Sequence, residues 1–162
     1  MLDTILDALT LVTALSCGLI AGVLFAFSTF IMKALDRRPA NEAIAVMQSI
    51  NVVIVNSLFL AVFLGTAVAC IVIIISALAR WQNPGAIWAA VGCGLYLVGT
   101  ILVTAVWNVP MNNALAAVAP SQADAAQLWA SYLVSWTAWN HIRTLAALAA
   151  AASLTIALSL GG

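Results

Sequence analysis

Four apolar segments constrain the fold of this chain more than any other feature. They cover residues 9–32, 58–79 and 87–107, and a last stretch, 144–160, carries no charge. Segments of about 20 apolar residues span the hydrocarbon core of a bilayer. Hydrophobic residues make up 65% of the chain and charged residues only 6%, whereas charged residues are about a quarter of a typical soluble domain. The sequence therefore predicts an integral membrane protein.

Short polar stretches separate the apolar segments, and this spacing indicates helices that run back and forth. We expect one all-α domain over residues 1–162, an integral membrane up-down-up-down four-helix bundle with long helices. The predicted helices cover about 3–35, 40–79, 85–117 and 122–160. Pro110 lies inside the third helix and lacks a backbone donor, so we expect a kink or a helix end there.

Basic residues in the loops predict the orientation of the chain. Lys33, Arg37 and Arg38 lie in the first loop, whereas the second loop contains only Arg80. Cytoplasmic loops carry an excess of lysine and arginine. We therefore expect a cytoplasmic first loop and both termini outside.

The composition also excludes several classes of protein. The formal net charge is 0, so there is no basic patch and we expect no nucleic acid partner. The chain has a single histidine, and Cys17, Cys70 and Cys93 lie inside apolar runs, so we expect no metal site. No span holds a pair of carboxylates, which argues against glycosidase and di-iron chemistry. The sequence predicts no particular oligomeric state.

A polar stripe in the last helix predicts a buried site. Trp129, Trp136 and Arg143 recur at seven-residue steps, and Tyr132 and Asn140 lie four residues before and after Trp136. A charge within the bilayer costs about 2.5–3.5 kcal/mol and usually faces the interior of the protein with a partner. We expect the Arg143 guanidinium to line a cavity, held by Asn or carbonyl oxygens of the second or third helix.

Asparagines of two other helices are predicted to lie near this stripe. Counting residues from each turn places Asn56 level with Asn108, and Asn108 level with Tyr132. Asn51 and Asn112 lie within two turns of these positions. Buried amides must be hydrogen-bonded, so they either tie helix to helix or contact a substrate.

His141 is the only histidine and the obvious candidate for a general base. It lies two residues before Arg143, so on a helix the two side chains point in nearly opposite directions. Two interpretations remain: a base that reaches the site, or a histidine that packs between helices or faces another groove.

Four motifs resemble the anthrone oxygenase-like family of small four-helix membrane proteins. They are GLIAGVLFAFS at 18–28, MQSIN at 47–51, NVPMN at 108–112 and WTAWNHIR at 136–143. The resemblance covers nearly the whole chain. It implies oxidation of an anthrone to an anthraquinone by O2, with no cofactor, in a bacterial inner membrane. The motif residues that it carries over are Asn51, Asn108, Asn112, Trp136, Asn140 and Arg143.

These residues combine into two predicted sets and two hypotheses. The catalytic candidates are Arg143, Asn140, Asn108 and His141, and the substrate-binding candidates are Trp136, Tyr132, Asn51, Asn112 and Asn56. The first hypothesis is an oxygenase whose partners are a lipophilic aromatic small molecule and membrane lipid. The alternative is a non-catalytic membrane protein that binds a lipophile, or a structural subunit whose Arg–Asn network fixes helix packing. A cavity beside Arg143 favours ligand chemistry, whereas a tightly packed network favours structure.

Overall fold

The computed structural model describes residues 1–122 and 124–161, and within these ranges it contains helices and loops but no strand. We number five helices, two of which combine α-helical and π-helical segments. Helix α1 comprises the α-helical segments Leu2–Ala26 and Met32–Asp36 with the π-helical segment Phe27–Ile31 between them. Helix α4 begins with the α-helical Pro84–Gly94, continues with the two π-helical segments Leu95–Leu102 and Thr104–Asn108, and ends with the α-helical Val109–Ala116. The other helices are α2, Ala40–Val55; α3, Leu58–Ala79; and α5, Ala125–Gly161.

Four of these helices, α1, α3, α4 and α5, are long and apolar enough to cross a membrane. Their candidate spans are 34, 22, 33 and 37 residues long, and about 20 residues suffice to cross the hydrocarbon core. The predicted all-α fold with long membrane helices is therefore confirmed. The up-down-up-down order and the single domain stay predictions.

The prediction of one continuous helix over 40–79 is wrong, because the chain leaves the helix at Asn56 and Ser57. Asn56 has φ −107° and ψ 21°, and Ser57 is extended with φ −99° and ψ 158°. The Ser57 hydroxyl donates to the carbonyl of Ile54 at 2.7 Å and accepts from the amide of Leu60 at 3.4 Å. Serine side chains favour such caps over helix interiors, so a second helix starts here.

The third predicted helix, 85–117, closely matches α4, but Pro110 neither ends nor interrupts it. Two π-helical segments, Leu95–Leu102 and Thr104–Asn108, precede the proline instead. Such wide turns are rare and occur often at functional sites. The last helix begins at Ala125 rather than at 122, and Ala123 of the predicted range lies outside the described residues.

The core has two apolar parts. The first joins the membrane helices around Cys17, Cys70 and Cys93, which are buried and free of disulfides. Gly92 lets α4 approach α5 closely, since an added Cβ would lie 3.0 Å from the Ala150 carbonyl oxygen. The second part packs the end of α1 and helix α2 against the first turns of α5. The candidate site lies between these two parts.

Candidate functional site

A cavity of about 750 Å³ lies between α1, α2, the start of α3, α4 and α5. Ligand pockets usually measure about 300–1,000 Å³, with mostly apolar walls and a few polar groups. The wall here has this character, with apolar side chains from α1, α2, α3 and α4. Its polar side chains, including the indole of Trp136, are Gln48, Asn51, Asn56, Thr104, Asn112, Asn113, Trp136 and Arg143. The cavity therefore has the size and lining of a site for a lipophilic ligand.

Arg143 is the one charged side chain among the described residues that line this cavity. It is 6% exposed. Its Nη2 donates to Asn140 Oδ1 at 2.5 Å and its Nη1 donates to Thr104 Oγ1 at 3.1 Å. The guanidinium carbon lies 5.2 Å from the ring centre of Trp136, which adds a cation–π contact.

No carboxylate of the described residues pairs with this guanidinium. Within residues 1–122 and 124–161 the ion pairs are Arg38 with Glu42 and Arg80 with Asp3, both distant in sequence from Arg143. Its buried Nε has no hydrogen-bond partner in the part of the chain that the structure describes. A guanidinium that keeps its charge and has a donor to spare attracts an anionic or partly anionic oxygen.

The prediction that Arg143 lines a cavity is confirmed. The prediction of its partners is wrong: they are Asn140 of its own helix and the Thr104 hydroxyl, not Asn or carbonyl oxygens of other helices.

Asn140 lies behind Arg143 and does not line the cavity. It is fully buried. Its Nδ2 donates to the Leu24 carbonyl at 2.7 Å and to Ser28 Oγ at 2.6 Å. The π-helical turn of α1 contains Ser28. Asn140 thus fixes α5 to α1 and turns its remaining oxygen toward Arg143, so it positions the guanidinium.

Asn112 connects two aromatic side chains at the cavity wall. Its Oδ1 accepts from the Tyr132 hydroxyl at 2.8 Å and from Trp136 Nε1 at 2.9 Å. The two rings are stacked with an interplanar angle of 23°. Both donors bind the amide oxygen, so the amide nitrogen of Asn112 is left to donate elsewhere. Asn112 and Trp136 line the cavity, and Tyr132 supports them from behind.

The other three predicted asparagines have different positions. Asn51 and Asn56 line the cavity, and the buried Nδ2 of Asn51 has no hydrogen-bond partner among residues 1–122 and 124–161. Asn108 is 1% exposed and does not line it; its Nδ2 donates to the Trp136 carbonyl at 3.3 Å. Asn51 and Asn56 are therefore available to a ligand, whereas Asn108 ties α4 to α5.

His141 does not belong to this cavity. It is exposed and lines a separate groove between α1 and α5. The cause is the helix period, which turns a side chain two residues before Arg143 to the other side of α5. The assignment of His141 as a catalytic base is corrected accordingly.

Two residues have roles that sequence reasoning missed. Thr104 accepts from Arg143 and donates to the Thr100 carbonyl at 2.6 Å. Gln48 donates to the carbonyls of Leu115 and Val118 at 2.8 and 2.9 Å, and so fixes α2 over the cavity. The sequence did contain one indication for Thr104: it lies four residues after Thr100 in an otherwise apolar segment, so both hydroxyls fall on one helix face. For Gln48 the sequence showed only a polar residue on a helix.

The membrane helices, the apolar cavity and the unneutralised Arg143 define a membrane protein with an internal polar site. A family model described as anthrone oxygenase matches residues 56–153, more than half of the chain. The chain belongs to the anthrone oxygenase family, as the sequence motifs predicted. Comparison with curated proteins and with solved structures found no match.

Proposed function

We propose that this protein is a cofactor-independent oxygenase that converts an anthrone-like, lipophilic aromatic substrate to a quinone with O2. The observation that carries this proposal is the cavity beside Arg143 and Trp136. A network that only fixed helix packing would leave no such space beside a charged side chain. The family match supports the same reaction class.

The cavity suits a flat tricyclic molecule in three respects. Its volume of about 750 Å³ is in the range of ligand sites, and its apolar wall replaces water around the rings. The Trp136 indole lines the cavity and gives an aromatic side chain that the rings of a substrate can contact. Arg143, Asn51 and Asn112 give donors for the oxygens of such a substrate.

The first step is loss of a proton from the CH2 group of the substrate, which yields an enolate. Arg143 faces the enolate oxygen and stabilises its charge, as preorganised donors do in oxyanion sites. Among the described residues that line the cavity there is no carboxylate, imidazole or lysine. The proton therefore passes to water. The role of Arg143 is to make this proton loss easier by stabilising the anion that results.

The enolate then reacts with O2 without further help from a protein base. The carbanion carbon gives electrons to O2, and a C–O bond forms, which yields a hydroperoxide after protonation. Loss of the remaining C–H proton breaks the O–O bond, leaves a carbonyl and releases water. The balance is one substrate and one O2 to one quinone and one water. Asn140 and Thr104 hold Arg143 throughout, and Asn112 and Asn51 orient the substrate.

The alternative is a protein that binds a lipophile without reaction. Asn140 and Asn108 join helices through buried hydrogen bonds, and these bonds would support the walls of a binding cavity as well as those of an active site. The two hypotheses differ in one measurable respect: only an oxygenase raises the rate of anthrone oxidation.

The test is oxidation of emodin anthrone under 18O2 by the purified protein in detergent, compared with heat-denatured protein and with detergent alone. We expect faster O2 uptake with the folded protein and one 18O atom in the new carbonyl. Binding of the anthrone at an unchanged oxidation rate would establish the binder and exclude the oxygenase.

A further inference from the structure

A second depression, the headgroup groove, lies between α1 and α5 and includes Lys33, Asp36, Val134, Thr137 and His141. Its volume is about 410 Å³. Its lining and that of the cavity have no residue in common. The groove thus contains the only histidine of the chain and two charged side chains that the proposed oxidation does not use.

The helix lengths place this groove at the membrane surface. Asp3 and Arg80 form an ion pair at one end of α1 and α3. Helix α3 has 22 residues, or about 33 Å at 1.5 Å per residue, which matches the hydrocarbon thickness. The same count along α1 from Asp3 ends before Ser28, so the part of α1 that lines the groove extends into the headgroup region.

The hydrogen bond between Asn140 and Ser28 places His141 at the same level. Lys33 lies five residues beyond Ser28 on α1, and Asp36 lies eight residues beyond it. From the hydrocarbon outward the order is therefore His141, then Lys33, then Asp36. This order does not depend on which side of the membrane the groove faces.

The groove offers donors near the hydrocarbon and an acceptor farther out. The Lys33 ammonium and an N–H of His141 can donate to phosphate oxygens. Thr137 Oγ1 is buried and has no hydrogen-bond partner among the described residues. Lys33 and Asp36 form no ion pair with any of residues 1–122 and 124–161. Val134 lies six residues before Asn140 on α5, at about the level of Lys33, and its exposed side chain (71% accessible) forms an apolar rim of the groove.

We propose that the headgroup groove binds a phospholipid that carries both a phosphate and a primary ammonium, of the phosphatidylethanolamine type. Its phosphate accepts from Lys33, His141 and Thr137, and its ammonium, the outermost group of the lipid, donates to Asp36. The linear order of the lipid groups matches the order of the side chains. His141 acts here as a lipid ligand.

The same chemistry discriminates against other lipids. The quaternary ammonium of phosphatidylcholine has no N–H to donate to Asp36. The headgroup of phosphatidylglycerol carries no cation, so the Asp36 carboxylate repels its net negative charge. Selectivity for the primary amine is therefore the signature of this site.

The test offers the purified, delipidated full-length protein an equimolar mixture of phosphatidylethanolamine, phosphatidylcholine and phosphatidylglycerol in detergent. Retained lipid is then measured by mass spectrometry. We expect wild type to retain phosphatidylethanolamine about tenfold more than either competitor, the scale of one hydrogen bond to a charged group. The double variant Lys33→Gln/His141→Leu should lose most of the retained lipid. Asp36→Asn should keep phospholipid but lose the preference for the primary amine.

Arg37→Gln is the matched control, because Arg37 is a neighbouring cation outside the groove. It should retain lipid as wild type does. Equal retention of the three lipids by wild type, or equal loss from Arg37→Gln, would overturn the proposal. Cross-links between copies of the chain through position 134 would also overturn it, because they would show that a second copy covers the groove. None of these outcomes depends on anthrone oxidation, so the two proposals fail separately.

Discussion

Replacement of Arg143 by methionine separates a catalytic role from a structural role. In the folded protein the substitution removes the donor to Asn140 Oδ1 and the donor to Thr104 Oγ1. Thr104 still donates to the Thr100 carbonyl, whereas Asn140 Oδ1 loses its partner, at a cost of about 1–3 kcal/mol. Removal of the buried charge stabilises the folded protein by a similar free energy, about 2.5–3.5 kcal/mol at most. We therefore expect an unfolding temperature close to that of wild type.

The effect on activity should be much larger. Loss of one donor from an oxyanion site costs about 10²–10³-fold in rate. Because Arg143 stabilises charge that develops during the reaction, Arg143→Met should lower kcat by this factor and change KM little. Arg143→Lys keeps the charge but not the planar fork, so it should recover only part of the rate.

The assay is initial O2 uptake with emodin anthrone, alongside a thermal unfolding measurement on each variant. Arg80→Met is the matched control, since it removes a cation from the opposite membrane end, in a partly exposed ion pair of little energetic weight. A folded Arg143→Met protein that keeps its rate within about threefold of wild type, well under the loss expected for one oxyanion donor, would refute the reasoning.

Three further predictions concern packing and topology. Asn112→Leu removes the oxygen that accepts from Tyr132 and Trp136. Each unpaired donor costs about 1–3 kcal/mol of stability, so this variant should unfold at a clearly lower temperature than wild type. Asn112→Asp keeps an acceptor and should unfold at a higher temperature than Asn112→Leu. Gly99→Ala places its Cβ against Ala146, whereas Gly94 has open space, so Gly99→Ala should lower the unfolding temperature and Gly94→Ala should not; equal effects would contradict the close approach of α4 and α5. A cysteine at position 83 should be labelled from outside the cell and one at position 37 should not, and the reverse labelling would overturn the predicted orientation.

The membrane helices could be predicted because apolar length is a strong signal. A run of about 20 apolar residues has few alternatives to a membrane helix. The break at Asn56 and Ser57 was missed because one serine cap competes with a long apolar stretch on both sides. Helix propensity alone is too weak to decide such a case. The π-helical segments before Pro110 had no signal beyond the proline itself.

The residues that line the site were partly predictable for a related reason. Trp136 and Arg143 share a stripe on one helix, and helix geometry fixes their common face. Counting levels between helices placed Asn108 near the site, and the stripe on the last helix placed Asn140 there. Neither argument could show that these two residues lie behind the wall of the cavity, because the rotation of each helix depends on packing against its neighbours. The same helix geometry correctly turned His141 away from Arg143.

The most direct test of the account is an experimental structure of the protein with anthraquinone, the product of the proposed reaction. We predict a flat ligand in the cavity, in contact with Trp136, with one carbonyl oxygen within hydrogen-bond distance of the Arg143 guanidinium. An acyl chain in the cavity with anthraquinone bound elsewhere, or Arg143 packed against protein on all sides, would contradict the account.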